Sequence, residues 1–300
     1  MQSKDSCVLF WIVMYLLVIL IGFGAVAFST LLERKLLGLS QVRLGPNKVS
    51  ILGILQPVAD GVKLLFKQLF LITLSQRLLF LGRPTIVFCL FIIIWAWLLP
   101  WDRIGYELKY SSLVFFSLLG VGRYVIIITG WSRISRFAKL GSLRGILQNL
   151  SFEVALILIF ISVLIFFHRF SIKREINIKE ELILVWVSIW LLLSLIESNR
   201  APFDLLEGER ELISGFNIEI GSLTFVYLFL REYGILIILS FIAGVALYGK
   251  TTVYFIIFMS FLLFIRSCFP RVRYDVIIRI MWERVLPFGV LFFIVLYIIV

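Results

Sequence analysis

Charged residues are scarce in this 300-residue chain: Asp, Glu, Lys and Arg make up 16% of it, against about 25% in soluble domains. Hydrophobic residues make up 61%. An aqueous fold of this size cannot bury that much apolar surface, so the chain is an integral membrane protein by composition. There is one histidine, His168, at the end of an apolar run, where an interfacial place is expected rather than a catalytic one. The three cysteines, Cys7, Cys89 and Cys268, are far apart. They suggest neither a disulfide frame nor a metal site, and buried thiols are expected. No Cys or His cluster offers ligands for haem or an iron–sulfur cluster. Nor is there a Gly-rich phosphate loop or a dinucleotide fingerprint. The chain therefore does not carry electrons by itself. The apolar runs lack the alternation of barrel strands, which leaves an all-α class.

Long apolar runs are what the chain has in abundance, and a helix crosses a bilayer with about 20 such residues. Eight spans are predicted in one polytopic domain over 1–300, near 8–31, 84–100, 111–131, 150–168, 181–197, 221–247, 251–267 and 285–300. The run 51–72 is interrupted by Asp60, Lys63 and Lys67. It reads as an amphipathic helix lying at the surface. The net charge is +11, and Lys and Arg concentrate in the odd loops, for example Arg34, Lys35 and Arg43 after span one and Arg271, Arg273 and Arg279 after span seven. The positive-inside rule turns these loops to the cytoplasm or matrix and both termini to the other side. That bias accounts for the positive charge without nucleic-acid binding. The first apolar run is longer than that of a signal peptide, and no cleavable presequence is evident. A mitochondrial inner-membrane protein made inside the organelle is expected, with a bacterial inner membrane as the alternative.

The fifth loop breaks the charge pattern. Residues 197–220, ESNRAPFDLLEGERELISGFNIEI, hold six of the chain's 18 acids: Glu197, Asp204, Glu207, Glu209, Glu211 and Glu219. Pro202 suits the first position of a helix, which would put Asp204, Glu207 and Glu211 on one face. Two readings stand: a solvated acidic loop, or a half-buried set that titrates as a coupled group. Glu153, Arg123, Arg231 and Glu232 interrupt apolar runs. Charges at such depth face a bundle interior or a water-filled cavity, either as a proton path or as local ion pairs. In the first loop, Glu33, Arg34, Lys35, Gln41 and Arg43 surround a Gly45–Pro46 turn. They would suit a ligand with a polar head and an oily tail, or lipid phosphates.

Five motifs then combine: LLERKLLGLSQVRLGPNKV (31–49), QPVADGVKLLFKQ (56–68), GWSRISRFAKLGSLRGILQNLSFEV (130–154), ESNRAPFDLLEGERELISGFNIEI (197–220) and FPRVRYDVIIRIMWERVLP (269–287). In this order they resemble the subunit 1 family of proton-pumping NADH–ubiquinone oxidoreductase, respiratory complex I. The resemblance implies eight spans, with amphipathic helices in the first and fifth loops, at the junction of the membrane and peripheral arms. It implies a quinone chamber lined or supported by Arg34, Gln41, Arg43, Arg200, Phe203, Asp204 and Arg273. It further implies an acidic path for protons or charge: Glu33, Asp60, Glu153, Glu197, Glu207, Glu209, Glu211, Glu219 and Glu232. No cofactor or metal would be bound by this chain, which would not be catalytic alone. Ubiquinone would be the substrate, with FMN and iron–sulfur clusters on partner subunits. The partners would be other membrane-arm and peripheral-arm subunits and membrane phospholipids, cardiolipin among them. Membrane-bound hydrogenase subunits share the lineage without a quinone chamber; a stand-alone ion transporter and a purely structural anchor are the other rivals. The chain departs from the family pattern at Lys67-Gln68-Leu69, where an acid is usual, at Ile134 and Arg136, at Arg210 and at Arg231.

Overall fold

The structure, a computed structural model, describes residues 2–67, 77–97, 111–132, 136–166, 180–204, 222–246 and 251–299. No strand occurs among the described residues. The helices are α1 (Gln2–Ser40), α2 (Gln56–Phe66), α3 (Arg77–Trp97), α4 (Ser111–Trp131), α5 (Arg136–Phe166), α6 (Glu180–Glu197), α7 (Ser222–Ala246), α8 (Thr251–Cys268), α9 (Tyr274–Ile280) and α10 (Leu286–Ile299). A π-helical turn, Met281–Val285, joins α9 to α10.

Helices α1, α3–α8 and α10 overlap the eight predicted runs, but several ends differ. Helix α1 passes the predicted end at 31 and runs to Ser40. Glu33, Arg34, Lys35, Leu36 and Leu37 are good helix formers; Gly38 is carried inside the helix, and the Gly45–Pro46 pair follows beyond its end. At about 1.5 Å per residue its 39 residues span roughly 58 Å, nearly twice the roughly 30 Å hydrocarbon core. Charged residues in the last two turns of α1 can therefore lie at the membrane edge without breaking the helix. Helix α5 begins at Arg136, well before the predicted 150, because its early polar residues Ser142, Gln148 and Asn149 are buried against neighbours. Pro84, placed at the start of a span, sits buried inside α3; neighbouring helices commonly accommodate interior prolines in membrane helices.

The amphipathic helix expected over 51–72 is confined to Gln56–Phe66, after a short 3₁₀ turn at Ile51–Gly53. Gly53 has φ +76°, and a methyl there would lie 2.2 Å from the Pro46 carbonyl oxygen. Only glycine fits this fold-back of the first loop.

Helix α7 is the hub. It packs against α1, α2, α3, α6 and α8, while α5 packs against α4, α6 and α10. Phe115, Phe152, Trp190, Ile238 and Leu239 are fully buried between them. Trp190 donates Nε1–H to the Leu239 carbonyl at 3.2 Å, so the indole is satisfied inside the apolar core. The outer surface is apolar too: Leu16, Leu20, Ile21, Leu291 and Ile298 are all exposed. Water would penalise such a surface and lipid would not. Four stretches, Val13–Ser40, Arg136–Ser162, Leu223–Gly244 and Tyr274–Ile298, are long and apolar enough to cross a membrane, and shorter apolar helices accompany them. The protein is an all-α membrane protein.

Two expectations about thiols are corrected. Cys89 and Cys268 are exposed, not buried. Cys89 shares an outward stripe of α3 with Ile86 and Ile93, and a small apolar thiol is as stable facing lipid as facing a core. Cys268 ends α8. The side chain of Cys7, and His168, lie outside the described residues.

Candidate functional site

The continuation of α1 carries Glu33 into the bundle, where its side chain is 4% exposed. A buried carboxylate needs partners, and three segments supply them. From α7, Tyr233 donates its hydroxyl hydrogen to Glu33 Oε2. From the end of α8, Arg266 donates Nη1–H to Glu33 Oε1. From the turn after α6, Arg200 brings Nη1 to 3.8 Å from Glu33 Oε1 and Nη2 to 3.7 Å from Glu232 Oε2. The same guanidinium lies over the Tyr233 ring at 4.1 Å and near Phe229 at 5.7 Å. Phe229 and Tyr233 are four residues apart on α7, so they present adjacent rings on one face. Two carboxylates and two guanidiniums balance in charge, which makes the burial of Glu33 tolerable; Glu232 and Arg266 keep part of their side chains exposed. Arg200 suits the central place because a planar guanidinium can stack and bridge two acids at once.

The turn that carries Arg200 is held on both sides. Phe203 N–H donates to the Arg200 carbonyl at 2.8 Å, and Val272 N–H to the Pro202 carbonyl at 3.0 Å. Gln148 of α5 donates Nε2–H to the Phe203 carbonyl at 3.0 Å. Arg271 Nη2 lies 3.4 Å from Asp204 Oδ2. Residues 198–204 form turns, and the Ala201–Pro202 peptide is cis. Pro202 does not open a helix, as its sequence position had suggested; Phe203 and Asp204 follow it outside helical structure, the Phe203 carbonyl accepting from α5 and the Pro202 carbonyl from the segment before α9. Glu207, Glu209, Arg210, Glu211 and Glu219, with the expected one-faced helix and the fifth-loop amphipathic helix, lie outside the described residues.

The remaining predicted residues divide into groups. Arg34, next to Glu33, pairs with Asp60 of α2 at 2.7 Å, and Gln56 donates to the same carboxylate at 3.0 Å. This ties α2 to α1. Gln41 and Arg43 are exposed and bond to each other at 2.8 Å. Arg273 is exposed and pairs locally with Asp275 at 3.2 Å. Neither group touches Glu33. Glu197 is buried at the end of α6, three residues before Arg200. Glu153 of α5 lies against Gly120 of α4, where an added methyl would come 3.0 Å from its Oε1. Arg231 is buried against Gly122, where a methyl would meet its Nη2 at 2.3 Å. The side chain of Arg123 lies outside the described residues.

Two members of the cluster were not singled out by sequence. Arg266 counts only as one more basic residue after a span, and Tyr233 only as the residue after Glu232. Their signals were faint: a cation in the last turn of an apolar helix, and a phenol beside an intramembrane acid. Among the described residues, no group of three His, Cys, Asp or Glu side chains stands where it would hold a metal ion. The arrangement holds charge, with a hydroxyl, two carboxylates and two guanidiniums gathered round Glu33 and Arg200.

Residues 12–297 match the NADH dehydrogenase family. NADH-ubiquinone oxidoreductase chain 1 of Apis mellifera ligustica is 36% identical over 299 residues, covering 96% of this chain and 97% of that one. The chain of the same name from Cyprinus carpio is 37% identical over 287 residues, covering 89% and 88%. A bacterial relative, an NADH-quinone oxidoreductase subunit of Rhodospirillum rubrum, is 36% identical over 307 residues, covering 94% and 90%. With the match running nearly end to end, this chain belongs to the NADH dehydrogenase family that these mitochondrial and bacterial proteins represent.

Proposed function

We propose that this subunit of an NADH:ubiquinone oxidoreductase complex helps form the quinone chamber and couples quinone reduction to proton translocation. The observation that carries the reading is the buried cluster in which Arg200 bridges Glu33 of the first-loop motif and Glu232 of α7. It joins a residue set suited to a polar headgroup with an acid inside the bundle. We assign eight crossings, with the odd loops on the matrix side of a mitochondrial inner membrane or the cytoplasmic side of a bacterial one. The partners are the other membrane-arm and peripheral-arm subunits, the latter bearing FMN and the iron–sulfur clusters that deliver electrons. Both mitochondrial and bacterial relatives match along nearly the whole chain, which supports either membrane.

Reduction of a quinone to a quinol takes up two electrons and two protons, and negative charge develops on its oxygens. Fixed cations and hydrogen-bond donors aimed at that charge lower its cost in a water-poor site. Arg200 and Arg266 are held in place by Glu33, Glu232 and the Tyr233 ring, so little reorganisation is needed when charge appears. New negative charge beside Arg200 weakens its hold on Glu232 and Glu33 and favours their protonation. Asp60, Glu153 and Glu197, with Glu207, Glu209, Glu211 and Glu219 of the fifth loop, then carry the change onward as a coupled set. Phe203 and Asp204 shape the chamber wall beside Arg200, with Arg34, Gln41, Arg43 and Arg273 at its rim.

The test is Glu232→Gln in the assembled complex, reconstituted in proteoliposomes. The expected result is quinone reduction that persists while the ratio of protons moved to electrons passed falls well below wild type. A wild-type ratio would remove Glu232 from the path.

A further inference from the structure

Arg231 is a buried cation that neither the family pattern nor the Arg200 cluster accounts for. It lies near the middle of the 25-residue α7, within the apolar stretch Leu223–Gly244, and is 8% exposed. Its neighbour Glu232 is turned toward Arg200; residues one apart on a helix point about 100° apart. Arg231 reaches α4 instead, where its guanidinium is seated on Gly122. A methyl added to Gly122 would meet Nη2 at 2.3 Å, Cζ at 2.8 Å and Nε at 3.0 Å. The missing side chain of Gly122 is therefore what admits the group. Two residues earlier, Gly120 receives the Glu153 carboxyl from α5, with Oε1 3.0 Å from an added methyl. Residues two apart on a helix lie about 200° round and about 3 Å along it. The guanidinium and the carboxylate thus flank one turn of α4 from opposite sides, on the order of 10 Å apart across a helix bare of side chains at both points.

The socket is closed by apolar groups. Val125, one turn after Gly122, and Leu228, one turn before Arg231, are buried together with Val87 and Leu90 of α3. A charge in such a place is screened far less than one at a surface. A guanidinium stays protonated at any physiological pH, so Arg231 cannot relay a proton. What it can do is repel one, as fixed cations do in pores that exclude protons and other cations. An ionisable side chain at this depth points to an ion pathway more than to packing. A path made of acids alone would conduct in either direction. A fixed cation on it makes passage depend on the negative charge that quinone reduction supplies nearby.

We propose that Arg231, seated on Gly122, is an electrostatic barrier to protons at the contact of α7 with α4, with Glu232 on one side and Glu153 on the other. The barrier presupposes the proton path proposed through those two acids. The test is passive proton leak through the assembled complex in proteoliposomes, read after an imposed pH jump without NADH and corrected for protein-free liposomes. Arg231→Met keeps an unbranched stem and removes the charge. It should raise the leak roughly tenfold, the effect of one unit charge on the order of 10 Å away at an effective dielectric constant of about 20. The ratio of protons moved to electrons passed should fall while quinone-dependent NADH oxidation persists, and Arg231→Lys should restore most of the resistance. Gly122→Ala keeps the arginine but displaces it, so it should act in the same direction and add little in the Arg231→Met background. A purely structural tie between α7 and α4 predicts lower thermal stability in both single variants, with wild-type leak and ratio in the complex that assembles; that result would overturn the barrier. If Arg231→Met does not assemble, Gly122→Ala decides: a raised leak supports the barrier and a wild-type leak overturns it. Glu232→Gln in the same vesicles separates the two readings. A wild-type ratio there removes the path, whereas a lowered ratio beside wild-type leak in the Arg231 and Gly122 variants removes only the barrier.

Discussion

Glu33→Ala is expected to destabilise the assembled complex severely and to abolish most quinone-dependent NADH oxidation. The carboxylate accepts from Tyr233 and Arg266 and faces Arg200 at 3.8 Å, with its side chain 4% exposed. Removing it leaves two guanidiniums facing each other without their shared anion. Breaking a buried ion pair on one side costs about 3–5 kcal/mol, because the remaining charge keeps its desolvation penalty. Glu33→Gln should be milder, since the amide oxygen still accepts from Tyr233 or Arg266 while the charge is lost. The effect should be relieved in part by a second change: Glu33→Gln/Arg266→Met removes one cation along with the anion. Thermal denaturation of the complex and the yield of intact complex on native gels read out stability; NADH oxidation with added quinone reads out function. A Glu33→Ala complex of normal stability and activity would show that the cluster is incidental.

The second large effect is expected at Arg200. Arg200→Lys keeps the charge and should still lose roughly tenfold in quinone-dependent activity, since an ammonium cannot stack on a ring and bridge two acids in one plane. The guanidinium lies 4.1 Å from the Tyr233 ring centre and within 4 Å of both Glu33 and Glu232. Arg200→Ala should be worse, because Glu232 loses its bridge to Glu33 and Tyr233 loses the stacked cation. The comparison that matters is between the two variants, at equal amounts of assembled complex. If Arg200→Lys matched wild type, only charge would count, and the stacked, bridging geometry would have no role.

The helices were legible in the sequence because apolar runs must leave water. Their ends were not, where polar residues continue a helix without breaking it. Glu33 shows why: ERKLL after an apolar run looks like the start of a loop, yet every one of those residues favours a helix, and α1 runs on to Ser40. The same holds for Gln148 and Asn149, polar by type and buried in α5. Site residues were legible singly and not as partners. Glu232 stood out as a charge inside an apolar run and Glu33 as one of the polar groups of the first loop, while Arg200 was marked only by the family motif. That Glu33 meets Arg266, 233 residues away, follows only from the direct packing of α1 against α8. Conversely, residues close in sequence were not always close in purpose. Gln41, Arg43 and Arg273 satisfy one another or an adjacent acid on exposed loops, because a nearby partner is easily reached by a long side chain. Pro202 misled for a local reason: proline opens helices and turns alike, and here backbone bonds to α5 and Val272 hold the turn.

The account rests on a quinone headgroup meeting this chain at the cluster between its first and fifth loops. The most direct measurement is photoaffinity labelling of the assembled complex with a ubiquinone analogue that carries its reactive group near the head. Adducts are expected in this chain within residues 31–43, 198–204 or 266–273, and they should be lost in the Arg200→Ala complex. Adducts confined to partner subunits, with the same yield in the Arg200→Ala complex, would contradict it.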